Sequence, residues 1–214
     1  MEEARILLAD DHTIFLEGLK NLLEKKFNVI GMVKNGRELI EEVEQQRPDI
    51  VVTDISMPEL NGIEATVQIK KIAPDVKVIL LTMHGDVTYA TRGFEVGASG
   101  YVMKQAAADE LYSAIREAML GRTFVTPMIA GDLIKSYREE GGIRPDDVQA
   151  RLTPRQREVL QLLAEGLSSK EVADRLNISA RTVEFHKYRM MQELNLRTSA
   201  ELIHYAIKHG IISI

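Results

Sequence analysis

A chain of 214 residues, 45% hydrophobic and 28% charged, has material for two packed domains and is too apolar for global disorder. It has no cysteine, which excludes disulfides and thiolate metal sites and fits a reducing compartment. The net charge of −5 conceals a split: residues 1–120 carry 13 Lys+Arg against 20 Asp+Glu, whereas residues 151–214 carry 10 against 7. Two modules with different partners are expected, the basic one suited to nucleic acid. The opening "MEEARILLADD" has neither the basic nor the apolar region of a signal peptide, and no run of about 18 apolar residues occurs. A cytoplasmic protein without a membrane span is the expectation.

In chain order, "RILLAD" (the 4–10 region), "NVIGMV" (28–33), "DIVVTD" (49–54), "KVILLT" (77–82) and "GYVM" (100–103) read as strands. Helical stretches lie between and after them, over roughly 13–26, 35–46, 61–73, 86–96 and 107–120. Strands apolar almost throughout imply burial on both faces. This α/β alternation predicts a doubly wound, five-stranded parallel sheet with its ligand site at the carboxyl ends of the strands.

From 121 to 150 the character changes. "TPMIAGDLIKSYREE" suggests one more helix, and "EGGIRPDDVQAR" reads as a linker rich in turn formers. The remainder reads as four short helices. Thr153 with Gln156, Ser168 with Glu171 and Thr198 with Glu201 fit the capping-box spacing, Ser179 suits a further N-cap, and Gly166 and Gly210 suit helix ends.

The polar residues of the first half fall on strand ends: Asp10 and Asp11, Asp54, Thr82 and Lys104. Each has a plainer reading alone, since aspartate before a helix is a common N-cap and "MPELNG" (57–62) is an ordinary turn. Together on one rim they form a complementary set. Three carboxylates repel one another unless a hard cation such as Mg²⁺ compensates. A carboxylate can also be the nucleophile that accepts a phosphoryl group, with Lys104 and Thr82 offsetting its charge. His12 lies beside the cluster, but no other histidine has a ligand spacing with it, and a structural or partner-facing role is expected.

The motifs "ADD" (9–11), "TDISMPELNG" (53–62), "LLT" (80–82) and "GYVMK" (100–104) resemble those of the receiver domains of two-component response regulators. The resemblance implies a flavodoxin-like fold with strand order 2-1-3-4-5 over residues 1–120. It implies that Asp54 accepts phosphate from a sensor histidine kinase, and that Asp10, Asp11, Asp54 and the Ser56 carbonyl surround Mg²⁺. Thr82 and Lys104 would bind the phosphoryl group, and Tyr101 would be a switch aromatic that rotates inward. Ser56 and His84 occupy the positions thought to tune dephosphorylation.

In the second half, "SSKEVADRLNISARTVEFHKYRMMQEL" (168–194) has the form helix, tight turn, helix. Val172, Ala173 and Leu176 give the first helix an apolar face, and Val183, Met190 and Leu194 give the second a buried stripe. Lys170, Arg181, Thr182, Glu184, Phe185, Lys187, Tyr188 and Arg189 are candidate DNA contacts, since a short polar helix suits the major groove and its basic residues suit phosphates. Residues 151–212 resemble the LuxR-type helix-turn-helix, and the whole chain resembles response regulators of the NarL/FixJ class. That resemblance implies a phosphorylation-controlled transcription regulator, not an enzyme, with double-stranded DNA as partner. It also implies a homodimer through the 198–209 helix (Leu202, Ile203, Ala206). Some relatives carry Lys where this chain has Glu184 and Tyr188, so Glu184 would either accept from a cytosine amine or brace an arginine. Two rivals fare worse. A Mg²⁺-dependent phosphohydrolase usually wants a second acid where Ser56 stands, and a small-molecule sensor would need an apolar pocket.

Overall fold

The structure is a computed structural model that describes residues 4–83, 85, 87–105, 108–139 and 152–212. The chain divides into two compact units, Met1–Ile143 and Arg144–Ile214.

The first unit alternates strand and helix: β1 (Arg5–Ala9), α1 (Thr13–Leu23), β2 (Asn28–Val33), α2 (Gly36–Gln46), β3 (Ile50–Asp54), α3 (Gly62–Ile72), β4 (Lys77–Thr82), α4 (Val87–Glu95), β5 (Gly100–Met103) and α5 (Ala108–Met119). All strands pair in parallel, and the sheet order is β2-β1-β3-β4-β5, followed by a sixth strand, β6 (Phe124–Val125). Strand alternation sends successive side chains to opposite faces. Leu7, Ala9, Val51, Val78, Leu80 and Tyr101 meet Leu39, Val43, Ala65, Ile69 and Ala90 of α2, α3 and α4. Ile6, Leu8, Ile50, Val52, Ile79 and Val102 meet Leu16, Leu19 and Leu23 of α1 and Leu111, Ala114 and Ile115 of α5. The sheet is therefore covered on both faces, and β3 is buried along its whole length. Burying one such Leu or Ile contributes about 1.5–3 kcal/mol.

The sixth strand departs from the five expected. Phe124 and Val125 pair with Gly100 and Tyr101 at the sheet edge. Thr126 extends the pairing, its N–H donating to the Tyr101 carbonyl at 3.0 Å and its hydroxyl accepting from the Met103 N–H at 3.1 Å. A two-residue strand leaves no periodic trace, so the pattern of 4–8 apolar residues that marks a strand was not there to read. Pro127 then opens α6 (Pro127–Glu139), which lays Ile129 and Leu133 against the core beside α4. The helix read from "TPMIAGDLIKSYREE" is thus packed on the first unit. The "EGGIRPDDVQAR" stretch and His84 lie outside the described residues.

The second unit holds α7 (Pro154–Ala164), α8 (Ser169–Leu176), α9 (Ala180–Glu193) and α10 (Ser199–Lys208) around Val159, Leu160, Leu162, Val172, Leu176, Val183, Met190 and Tyr205. Thr153 and Ser168 form complete capping boxes with Gln156 and Glu171, and Ser179 accepts from the Thr182 N–H. The third box is only half formed. Thr198 accepts from the Glu201 N–H, but the Glu201 carboxylate reaches back one residue further, to the Arg197 N–H at 2.6 Å. Asn177 takes a left-handed conformation (φ 52°) that ends α8 and turns the chain into α9.

Candidate functional site

Parallel winding brings the ends of β1, β3, β4 and β5 to one rim, and three charged side chains meet there. Lys104, directly after β5, places its ammonium 2.7 Å from Asp10 Oδ2 and 2.8 Å from Asp54 Oδ2. Asp10 is fully buried, Asp54 is 3% exposed, and the Lys104 side chain is 6% exposed. The Phe15 ring of α1 lies under the ammonium at 4.8 Å, a contact that nothing in the motif pattern signalled. Asp11 is exposed at the mouth.

The turn after β3 holds Asp54 from behind. Asn61 caps α3 by accepting from the Glu64 N–H, and the Gly62 N–H donates to the Ile55 carbonyl at 2.9 Å. Gly62 passes so close to β3 that a Cβ there would sit 2.1 Å from the Asp54 carbonyl oxygen. Glycine is required for this approach.

Burial pushes the Asp54 carboxyl above its ordinary value. Lys104 and the Ser56 backbone N–H pull it back down, and Asp10 pushes it up. For Lys104, burial alone would depress the ammonium, but hydrogen bonding and charge from Asp10 and Asp54 outweigh that and raise it. The two directions have different leading causes: burial dominates at Asp54, and the paired carboxylates Asp10 and Asp54 prevail over burial at Lys104. Asp10 Oδ2 is buried against Lys104 at 2.7 Å, and a carboxylate oxygen with two lone pairs keeps acceptor capacity beyond that one contact. The ligand atoms of Asp10, Asp11, His12 and Asp54 all lie within 4.8 Å of one another. A hard divalent cation fits this oxygen-rich set.

Other expected rim residues are placed as follows. Thr82 ends β4 at 1% exposure, and its carbonyl accepts from the Lys104 N–H at 2.7 Å. Tyr101 is fully buried with Leu80 and Met103, so its ring is already inward in this conformation. Ser56 is half-buried, and its N–H serves Asp54. His12 is closer to the chemistry than expected. Its N–H donates to Asp10 Oδ1 at 2.9 Å, and its Nδ1 stands 3.2 Å from that oxygen and 2.9 Å from Asp11 Oδ1. Its partners are carboxylates one and two residues away, which a search for a second histidine passes over.

In the second unit, Lys170 on α8 and Arg181, Glu184, Phe185, Tyr188 and Arg189 on α9 are exposed, with Thr182 and Lys187 half-buried. Among the described residues, Glu184 pairs with no arginine. It accepts a hydrogen bond from the Ser169 hydroxyl, and Arg189 pairs with Glu193 at 3.4 Å. The dimerisation set is split: Leu202 and Ala206 are buried in the core of their own unit, and Ile203 alone of the three faces outward. The helical period explains the correction, because residues 202 and 206 share a face and that face packs inward.

A family model described as the response regulator receiver domain matches residues 6–116, and one for bacterial regulatory proteins of the luxR family matches residues 150–206. The transcriptional regulatory protein DegU of Brevibacillus brevis is 35% identical, covering 98% of this chain and 95% of its own. The oxygen regulatory protein NreC of Staphylococcus carnosus is 34% identical over 97% and 99%. Among solved structures, RcsB of Salmonella enterica serovar Typhimurium, bound to promoter P1flhDC with the phosphomimetic BeF3-, is similar at a TM-score of 0.60 and 30% identity, over 95% and 98% of the two chains. Receiver domains bind Mg²⁺ at an acidic pocket, and here the aspartate cluster could hold a metal. No described helix is long and apolar enough to cross a membrane. With both matches in place along one chain, this protein belongs to the two-component response regulators that join a receiver domain to a LuxR-type helix-turn-helix.

Proposed function

We propose that this chain is a cytoplasmic DNA-binding transcription regulator switched by a phosphoryl group on Asp54. The observation that carries the reading is the buried Asp10–Lys104–Asp54 contact at the carboxyl rim of the sheet. A carboxylate oxygen of Asp54 forms the new P–O bond as the P–N bond to the phosphohistidine of a sensor kinase breaks. The electron pair leaves on the imidazole nitrogen. Asp10, Asp11, Asp54 and the Ser56 carbonyl would hold Mg²⁺, which supplies neutralising charge to the transferring group. Lys104 already touches Asp54 and needs only a short shift to pair with a phosphoryl oxygen. The Thr82 hydroxyl donates to another. Tyr101, packed beside Thr82's strand, stays inward when Thr82 is drawn to the phosphate.

The functional division falls near residues 120 and 150: a receiver over 1–120, a connector over 121–150 whose α6 is held to the receiver core, and a DNA-binding domain over 151–214. Lys170, Arg181, Lys187 and Arg189 contact phosphates. Thr182, Glu184, Phe185 and Tyr188 border the bases. Phosphorylated protomers pair on two half-sites, with Ile203 on the outer face of α10. The switch can deliver only the difference in phosphate affinity between two states.

Intact mass after incubation with acetyl phosphate and Mg²⁺ tests the acceptor. Wild type gains one phosphoryl group, and Asp54→Asn gains none. A gain in both, or in neither while the fold persists, would overturn the assignment.

A further inference from the structure

We infer that Phe185 and Tyr188 form an apolar reading edge for the 5-methyl groups of thymine, so that operator sequence is recognised chiefly by thymine methyls. This rests on the DNA-binding reading and deepens it.

At about 100° per residue, Arg181, Phe185, Tyr188 and Gln192 fall within about 30° of one line along α9. Arg189 lies about 70° to one side of that line, and Lys187 about 130° to the other, toward the buried stripe. Arg181 is the basic residue on the line itself, at the start of the helix, and the next two positions along it, Phe185 and Tyr188, are aromatic. Phe185 is 57% exposed and Tyr188 61%, on a helix whose apolar stripe, Val183 and Met190, is otherwise buried. Exposing two aromatic rings to water on an outward face is unfavourable unless a partner covers them.

Three of the hydrogen-bonding groups nearby are already engaged within the domain. Glu184 accepts from the Ser169 hydroxyl of α8. The Tyr188 hydroxyl accepts from Gln192 Nε2 at 2.9 Å. The Arg189 guanidinium lies over the Phe185 ring, 5.9 Å from its centre, while pairing with Glu193. What the middle of α9 offers a base pair is therefore ring surface. In the major groove the apolar mark is the thymine methyl, and phenylalanine is among the side chains that suit it. Phe185 and Tyr188 are three residues apart, about 4.5 Å along the helix axis, close to one base-pair step. Consecutive thymines in each half-site are the expected signature.

The test uses the full chain, phosphorylated with acetyl phosphate and Mg²⁺, to enrich duplexes from a random-sequence pool. Selected sites are then remade with 2′-deoxyuridine at each thymidine, which removes the methyl and keeps the base pairing. Wild type should enrich adjacent thymines and lose about fourfold in affinity per methyl removed there. Phe185→Ala should be insensitive at one of those positions and Tyr188→Ala at the other. Lys187→Ala should weaken every duplex alike and keep the methyl sensitivity. Circular dichroism of each variant confirms that the helices are retained. Enrichment of a sequence with no loss on deoxyuridine substitution would overturn the aromatic reading alone. Failure to enrich any sequence would overturn the DNA-reading role beneath it.

Discussion

Replacing Lys104 with Met tests whether the rim is held together by one internal cation. The change keeps side-chain length over Phe15 and deletes the charge 2.7 Å from Asp10 and 2.8 Å from Asp54. At an effective dielectric of about 20, each attraction amounts to about 6 kcal/mol before desolvation is counted. The loss cannot reach that sum, because a carboxyl left unpaired takes up a proton instead. At about 1.36 kcal/mol per unit, keeping a group of ordinary pKa 3.8 neutral at pH 7 costs about 4 kcal/mol. The expected destabilisation at neutral pH is thus about 3–4 kcal/mol, in line with breaking a buried pair. In the variant the folded-state pKa of Asp54 rises further above its unfolded value. The destabilisation is then full at pH values above the folded pKa. It shrinks as pH falls through that pKa and vanishes below the unfolded value near 3.8. Mg²⁺ meets no competing ammonium in the variant, so it should raise the midpoint of the first unit's urea transition more than in wild type. Far-UV circular dichroism reads this, since the chain has no tryptophan. Equal stability of wild type and Lys104→Met at pH 7 without Mg²⁺, or an equal Mg²⁺ shift in both, would refute the reasoning.

Gly62→Ala forces a Cβ to within 2.1 Å of the Asp54 carbonyl, and a loss above about 3 kcal/mol, with weaker phosphorylation, is expected by urea titration and intact mass. Leu202→Ala should cost about 2–5 kcal/mol in the second unit, whereas Ile203→Ser should leave its melting unchanged and weaken only self-association, read by sedimentation; the reverse pattern would restore Leu202 as an interface residue. Ser168→Ala removes the capping hydroxyl of α8 and should cost about 1 kcal/mol. Because burial raises the Asp54 carboxyl, protons compete with Mg²⁺ at higher pH than at an exposed aspartate, so titration calorimetry should show Mg²⁺ affinity falling as pH drops toward that raised pKa and constant above it.

The rim was legible because each of its residues ends a strand that is apolar almost throughout, and parallel winding leaves such ends nowhere to go but one edge. Asp10, Asp54 and Lys104 are 44 and 50 residues apart in sequence, yet β1, β3 and β5 fix their convergence without any side-chain signal. His12 escaped for the opposite reason. Its ring engages its immediate neighbours, and proximity in sequence carries no spacing to notice. On α10 the interface set came from the family resemblance alone, and a sequence shows that 202 and 206 share a side but not which side is covered. The core residues Val159 and Leu162 of α7 already pack in the cluster that takes up Leu202, Tyr205 and Ala206. Ile203 is left as the outward position, 36% exposed. The same ambiguity has the opposite outcome on α9. There Val183 and Met190 fill the core, so Phe185 and Tyr188, equally apolar by composition, are pushed to the outer face. An apolar residue off the buried stripe of a helix adds nothing to the core. Its place among Arg181, Lys187 and Arg189 is therefore an argument about a partner rather than about packing.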